Sequence, residues 1–504
     1  MQMGFATALV AVSMIATAGS LGADGQPKPE DEIALLKSQI ARNPDAAAPH
    51  LQLVQIYLRT ERFEEADSAV KAALQANGQN SELHRVAGDL LFREGHVAEA
   101  DAEYKSAFRL DKQNPRAIYG ISRTFRAVGL RAKAANLVRA AHGLAPGDAE
   151  IEAAFLALDP YGPEAVARWQ KLLADPDASA DIPRKHHFKT ELVETELAKA
   201  KLLKGRQPLE FSSPYQRYQL PYRVLYDGKR PTGIGMTITI NGVKSELRVD
   251  TGAGGVTVSS GFAAKAGIER IGSSQIGGIG NKGAVGAWIG YAESMQVGGV
   301  DFRNVLVDVK EKGSVDDSGG LLGTDIFRRF LVKLNFHEGM VDLDPLPGPA
   351  WDGYAPVDRY DGPEVKGFSQ IFQLQHMLLI PTLVSEKQKS EQTHCLFMVD
   401  TGADFNNIST NLAPSVTKIH NDNNLEVTGV SGKVKMVYQA DKVVLQFAKF
   451  RQTNLDLTSL DLADTSRWLG MEVSGTLGLP VLSLFRSIVI DYRDEGILFD
   501  FNPY

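Results

Sequence analysis

The tetrapeptide Asp-Thr-Gly-Ala occurs twice in this chain of 504 residues, at Asp250-Thr251-Gly252-Ala253 and at Asp400-Thr401-Gly402-Ala403. Each copy ends an apolar, strand-like run: Leu247-Arg248-Val249 before the first, Cys395-Leu396-Phe397-Met398-Val399 before the second. An aspartate held by a strand and a tight turn is fixed in space, and two of them can meet face to face. Carboxylates about 3 Å apart cannot both ionise, so one stays protonated while the other serves as a base. Such a pair can activate a water and protonate a leaving amine, which is the chemistry of peptide-bond hydrolysis. A turn-capping role, with each side chain bonding nearby backbone N–H groups, explains one copy but not two in matched surroundings.

The match continues downstream. Gly320-Leu321-Leu322-Gly323, then Ile326-Phe327-Arg328-Arg329-Phe330, follow the first copy, with a strand pair expected around His337-Glu338-Gly339. Gly475-Thr476-Leu477-Gly478, then Leu484-Phe485-Arg486, follow the second, with a strand pair around Arg493-Asp494-Glu495-Gly496. The offset drifts from 150 at the aspartates to 157 between Gly339 and Gly496, as loop insertions would cause. The pattern is an internal duplication.

Both halves resemble the retropepsin-type aspartic protease domain, over roughly residues 210 to 504. The resemblance implies Asp250 and Asp400 as the catalytic pair. It also implies that the Thr251 and Thr401 hydroxyls bond across the pseudo-dyad and lock the two loops together. Gly252 and Gly402 allow the turn and the approach of backbone N–H groups, while Ala253 and Ala403 are the retropepsin-like choice at the next position. Asp404 follows only the second copy, where the first has Gly254. Ile276-Gly277-Gly278-Ile279-Gly280 is similar to a flap tip that closes over an extended peptide. Thr428-Gly429-Val430-Ser431-Gly432 stands in the matching place of the second half. Viral members supply one half per chain and dimerise, whereas two halves in one chain resemble the two-lobed arrangement of pepsin-like enzymes. Pairing within one chain or between two chains both stay open, and neither aspartate is assignable as acid or base.

Other chemistries find less support. Gly278-Ile279-Gly280-Asn281-Lys282-Gly283 has the letters of a dinucleotide fingerprint, but strand-like residues rather than a helix follow it. His186 and His187 are adjacent, point apart on a helix, and belong to no His-Glu-x-x-His pattern, so no metal and no cofactor are expected. No nucleophile motif of the Ser/His/Asp type is present. The single cysteine, Cys395, allows no intramolecular disulfide and reads as a small buried hydrophobe. A formal net charge of −7 argues against a nucleic-acid partner.

The elements that must position the site follow a helical region spanning residues 30–205. Small residues recur there every 34 positions: Ala66, Ala100 and Ala134, and in parallel Ala73, Ala107 and Ala141, with Gly95 and Gly129 at turns. Tyr57, Leu91 and Phe125 fill one matching large site, and Val70, Tyr104 and Val138 another. This resembles the tetratricopeptide repeat, with three repeats over 47–148. Gly78 and Lys112 stand where the repeat-ending proline is expected, and Pro146 retains it. Flanking helices are expected near Ile33 to Ile40, Pro163 to Leu173 and Phe188 to Lys204. Residues 1–23 read as an export signal without a basic start, implying a periplasmic or secreted protein with no membrane span in its mature form. The expected fold is multidomain α + β: the helical repeat solenoid, a first mainly-β protease-like lobe over 210–346, a Pro/Gly-rich linker over 347–366, and a second lobe over 367–504. The functional expectation is an aspartic endopeptidase acting on a peptide or protein substrate, with the repeats docking that substrate or a protein partner. The alternatives are a non-catalytic peptide-binding protein and a repeat scaffold that keeps the fold.

Overall fold

The computed structural model describes residues 29–60, 62–174, 190–279, 285–311, 319–386, 392–422, 425–429, 432–434 and 436–501. Residues 1–23, His186, His187, Gly280 to Gly283, Val430 and Ser431 lie outside the described residues. Three helix pairs form the centre of the repeat region: Ala47–Arg59 with Phe63–Ala76, Ser81–Arg93 with Val97–Leu110, and Pro115–Ala127 with Arg131–Leu144. Their starts at 47, 81 and 115 keep the 34-residue period. Ala66, Ala100 and Ala134 are buried at successive close crossings, as are Ala73, Ala107 and Ala141. A larger side chain at any of them has no room. Pro29–Arg42 precedes the series, and Ala149–Leu156, Ala165–Ala174 and Thr190–Leu203 follow it.

The turns between repeats use a device that the missing prolines did not reveal. Asn80 accepts from the Glu82 and Leu83 amides, Asn114 from Ala117, and Asp148 from Glu150 and Ile151. These side chains, themselves 34 positions apart, satisfy helix N-termini that would otherwise be orphaned. Ala100→Leu should overpack one crossing and lower stability by about 1–3 kcal/mol. Chemical denaturation checks this, and an unchanged midpoint would contradict the crossing.

In the β region, Arg230–Ile240 turns through Asn241 and Gly242, both in the left-handed region, into Val243–Asp250. Two consecutive positive φ values are what a two-residue hairpin of matching twist requires. Gly320–Gly323 then runs parallel to Val243–Asp250, with Gly323 beside Asp250. The second lobe repeats the device: Gly475–Gly478 runs parallel to Thr393–Asp400, with Gly478 beside Asp400. A six-stranded sheet joins the lobes, three strands from each, and its centre is the antiparallel pairing of Phe330–Asn335 with Ser487–Asp491. One continuous hydrophobic core runs through both lobes, from Leu209 to Phe499.

The hairpins of that sheet correct the register read from the sequence. Asn335 pairs with Met340 and Asp491 with Gly496, so equivalent residues lie 156 apart, not 157. The counterpart of Gly339 (φ +67°) is therefore Glu495 (φ +55°), and not Gly496. A glycine is the easy residue for a left-handed position. A glutamate stands there because its side chain is committed to the repeat helices.

Glu495 is fully buried and bonds Arg131 at 2.8 Å through one oxygen and the Gln373 amide at 2.8 Å through the other. Arg131, at the start of Arg131–Leu144, also donates to the carbonyls of Tyr492 and Arg493 and to Gln373 Oε1. The Pro/Gly-rich passage between the lobes is a strap rather than a free linker. Asp358 accepts from the Ala132 and Lys133 amides, Arg359 N–H donates to the Gly129 carbonyl, and Tyr360 N–H donates to Asp494. Beside this polar seam, Phe92, Val97, Tyr104 and Ile121 of the repeats pack with Leu379, Leu396, Met398 and Val473 of the second lobe. Cys395 is half-buried rather than buried, and burial of its thiol pushes its pKa up to about 12.

Candidate active site

Each aspartate ends its strand with the backbone already turning. Gly252 N–H donates to Asp250 Oδ1 at 2.7 Å, and Gly402 N–H donates to Asp400 Oδ1 at 2.8 Å, with Ala403 N–H adding a third bond at 3.1 Å. The two loops, each anchored by its own parallel strand partner, meet within one chain. A Cβ on Gly252 would lie 2.8 Å from Cγ of Asp400, and one on Gly402 would lie 2.5 Å from Cγ of Asp250. Only glycine permits that approach, which sets each carboxyl against the opposite loop.

Below the carboxyls the threonines cross over. Thr251 Oγ1 accepts from Thr401 N–H at 2.9 Å and donates to the Val399 carbonyl at 2.7 Å. Thr401 Oγ1 accepts from Thr251 N–H at 3.1 Å and donates to the Val249 carbonyl at 3.1 Å. Both threonines are buried, so each hydroxyl satisfies a donor and an acceptor that water cannot reach. Thr251→Ala should orphan the Thr401 amide and the Val399 carbonyl, lowering stability by about 2 kcal/mol or more. Thr251→Ser, which keeps the hydroxyl, should recover most of it, and denaturation midpoints of the two variants decide the matter.

Withdrawal from water, followed by the charge of Asp250 and the bond to it, raises the Asp400 pKa well above the ordinary carboxylate range. The Gly402 and Ala403 amides oppose that rise without cancelling it. Asp400 therefore keeps its proton to a higher pH than an ordinary carboxylate.

A cavity of about 570 Å³ opens over the carboxyls. Gly277, Gly278 and Ile279 line it from the first lobe, and Val427, Thr428 and Gly429 from the second. Ile276 ends the first flap strand, Glu269–Ile276. A Cβ on Gly429 would collide with the Ile279 carbonyl, so these two lining residues of opposite lobes touch. Asp404 does not reach across as a free side chain: its carbonyl accepts from Arg230 and its carboxylate lies 3.6 Å from Arg248.

Several lining residues carry no motif that a sequence reading could find. His376 sits in the hairpin turn that opens the second lobe and presses on the first aspartate loop, where a Cβ on Gly254 would lie 2.8 Å from its ring. Burial lowers its pKa, against the pull of Asp325 and Asp250, so the imidazole is neutral. Asp325 follows Gly323 by two residues and accepts from Gly255 N–H at 2.8 Å, bracing the loop from below. Arg126, Tyr161 and Lys199 come from the helical region and line the same cavity. Nothing in a repeat period marks a residue that faces another domain.

Residues 236–329 match the family described as gag-polyprotein putative aspartyl protease, a span that includes Asp250 and ends before Asp400. Residues 31–90 match the tetratricopeptide repeat. The chain joins tetratricopeptide repeats to an aspartyl-protease-like region. Among solved structures, a thermophilic tetratricopeptide-repeat protein of Thermus thermophilus is 22% identical, covering 25% of this chain and 71% of its own, with a TM-score of 0.23. No curated protein matches the chain. Among the described residues, no helix of the chain is long and apolar enough to cross a membrane.

Proposed function

We propose that the protein is an aspartic endopeptidase, with Asp250 and Asp400 as its catalytic dyad. The observation that carries this reading is the close approach of the two aspartate loops within one chain, each carboxyl set against the other loop's glycine, on turns braced by crossed threonines. In this mechanism a water between the carboxyls loses its proton to the ionised one and attacks the peptide carbonyl. The carboxyl that holds the shared proton delivers it toward the departing amine. Gly252, Gly402, Ala253 and Ala403 keep the loops close, and the flap tips Gly277 to Ile279 exclude water from the reaction. No metal or cofactor takes part in this scheme. The repeats present protein substrate or partner to the cleft, and the apolar N-terminus directs the chain to the periplasm or outside the cell. Incubation of the intact chain with a mixed peptide library, beside an Asp250→Asn control, tests the activity. Cleavage by the first and not the second supports it, and equal outcomes refute it. N-terminal sequencing of the protein recovered from cell fractions tests export.

A further inference from the structure

Two adjacent asparagines follow the second aspartate loop, and they are used differently. The Asn406 side chain accepts from the Gly478 amide at 2.9 Å and so helps to hold the loop. Asn407 opens the strand Asn407–Ser409, lines the cavity over the dyad and is fully buried. Among the described residues, neither its Nδ2 nor its Oδ1 has a hydrogen-bond partner. A buried carboxamide with both ends unpaired is costly, and few native proteins keep one without a use. Thr476, its cross-strand partner, is also fully buried, and among the described residues its hydroxyl likewise has no partner.

Side chains directly opposite on neighbouring strands share a face of the sheet, as do those two apart on one strand. Thr476 pairs with Asn407 on one side and with Met398 on the other, and Met398 lies two residues before Asp400. Asp400, Met398, Thr476 and Asn407 thus share one face, and three of them, Asp400, Met398 and Asn407, line the cavity. The first lobe carries Arg248, Leu321 and Thr257 in the same register beside Asp250. Leu321 stands there in the place of Thr476, and Thr257 in the place of Asn407. The two sides of the dyad therefore differ in chemistry: an aliphatic side chain beside a hydroxyl in the first lobe, a hydroxyl beside a carboxamide in the second.

Resting on the protease reading above, we propose that Asn407, backed by Thr476, forms a subsite for a carboxamide side chain, Asn or Gln, of the peptide substrate. Asn407 Nδ2 donates to the oxygen of the substrate amide, and Oδ1 accepts from its NH2 group. A carboxylate has no hydrogen to give to Oδ1, and an aliphatic side chain leaves both ends of Asn407 unpaired. A site built to hydrogen-bond its ligand rejects an isostere that cannot do so more strongly than an apolar pocket rejects a poor fit. The second lobe thereby selects substrate on the Asp400 side of the dyad.

Quenched fluorogenic octapeptides are given to the full chain, carrying at each position in turn the similarly sized triplets Asn, Asp, Leu and Gln, Glu, Met. At one position an amide is expected to exceed the acid and the apolar member of its triplet by about tenfold or more in kcat/KM, the worth of one or two hydrogen bonds. The triplet that shows the preference assigns Asn or Gln. Asn407→Leu should invert the preference between amide and apolar side chain at that position, and Asn407→Thr should reduce it. Unfolding midpoints at or above that of the parent show that the variants are folded and that no protein group relied on the amide. Should Asn407→Leu unfold, Asn407→Thr carries the selectivity test. A wild-type ratio near one at every position, or a ratio that survives both substitutions, overturns the proposal even if peptides are cut. Should no peptide be cut, the protease reading fails by itself. The amide preference is then read as affinity for singly labelled versions of the same peptides by fluorescence anisotropy, where equal affinities overturn it.

Discussion

Asp250→Asn and Asp400→Asn are each expected to lose peptide cleavage by on the order of a thousandfold or more, and the double variant to lose little beyond that, because groups acting as one unit are grossly non-additive. The geometry supplies the reason: each carboxyl lies against the other loop's glycine and the charge of Asp250 acts on Asp400, so removing one leaves the survivor without its partner in proton transfer. Asparagine fills the same volume and keeps a bond from the loop amides, so the fold should survive. Rates that fall for one variant only would sink the dyad. The pH profile follows from the raised Asp400 pKa. On the acid side, protonation of the second carboxyl removes the base. On the alkaline side, activity falls as the pair loses its retained proton, and that limb lies above the ordinary carboxylate range. Stability carries the same sign. A carboxyl whose folded pKa is raised favours the folded state below its unfolded pKa, and that contribution is lost as pH rises through the folded value. Asp400→Asn cannot ionise, so it should become more stable than the parent chain on the alkaline side. Unfolding midpoints measured across pH check this without any substrate.

What the sequence disclosed and what it hid divide along a physical line. Local and periodic signals were legible. The 34-residue spacing of small residues reflects a packing need that recurs at every crossing, so the helix starts at 47, 81 and 115 could be anticipated. The two Asp-Thr-Gly-Ala loops stand out because a close approach of backbones admits few residue types. Contacts between distant segments were not legible. The ring of His376 meets Gly254 and Trp468, both distant in sequence, so its place appears only where the second lobe's first hairpin reaches the first aspartate loop. The register error at Gly339 has the same origin. Glycine was matched to glycine, whereas the structure places a glutamate in the left-handed position because Arg131, far away in sequence, holds it. The passage at 347–366 read as a linker from its Pro and Gly content, but Asp358 and Tyr360 bind it to a repeat helix and to the last hairpin.

Arg131 ties the repeats to the last hairpin of the second protease-like lobe. Its guanidinium is almost wholly buried, facing an equally buried Glu495, two backbone carbonyls and Gln373. Arg131→Met keeps most of the side-chain volume but leaves Glu495 charged or newly protonated in a dry site, with the Tyr492 and Arg493 carbonyls unpaired. Removing one partner of a buried pair costs about 3–5 kcal/mol. Glu495→Gln alone should also destabilise, because it leaves the arginine uncompensated. The double variant should be less impaired than the sum of the two, the excess measuring their coupling. Loss should extend to function, since the same helix pair carries Arg126 to the cavity over Asp250 and Asp400. Chemical denaturation of the four proteins, with peptide cleavage measured on each, separates the possibilities. A destabilised Arg131→Met that cleaves normally would mean that the repeats only steady the lobes. Strictly additive losses would mean that Arg131 acts through the backbone carbonyls, with Glu495 a bystander. Coupled losses in both stability and cleavage are the expected result, because the hairpin that Arg131 grips belongs to the six-stranded sheet uniting the lobes that present the aspartates.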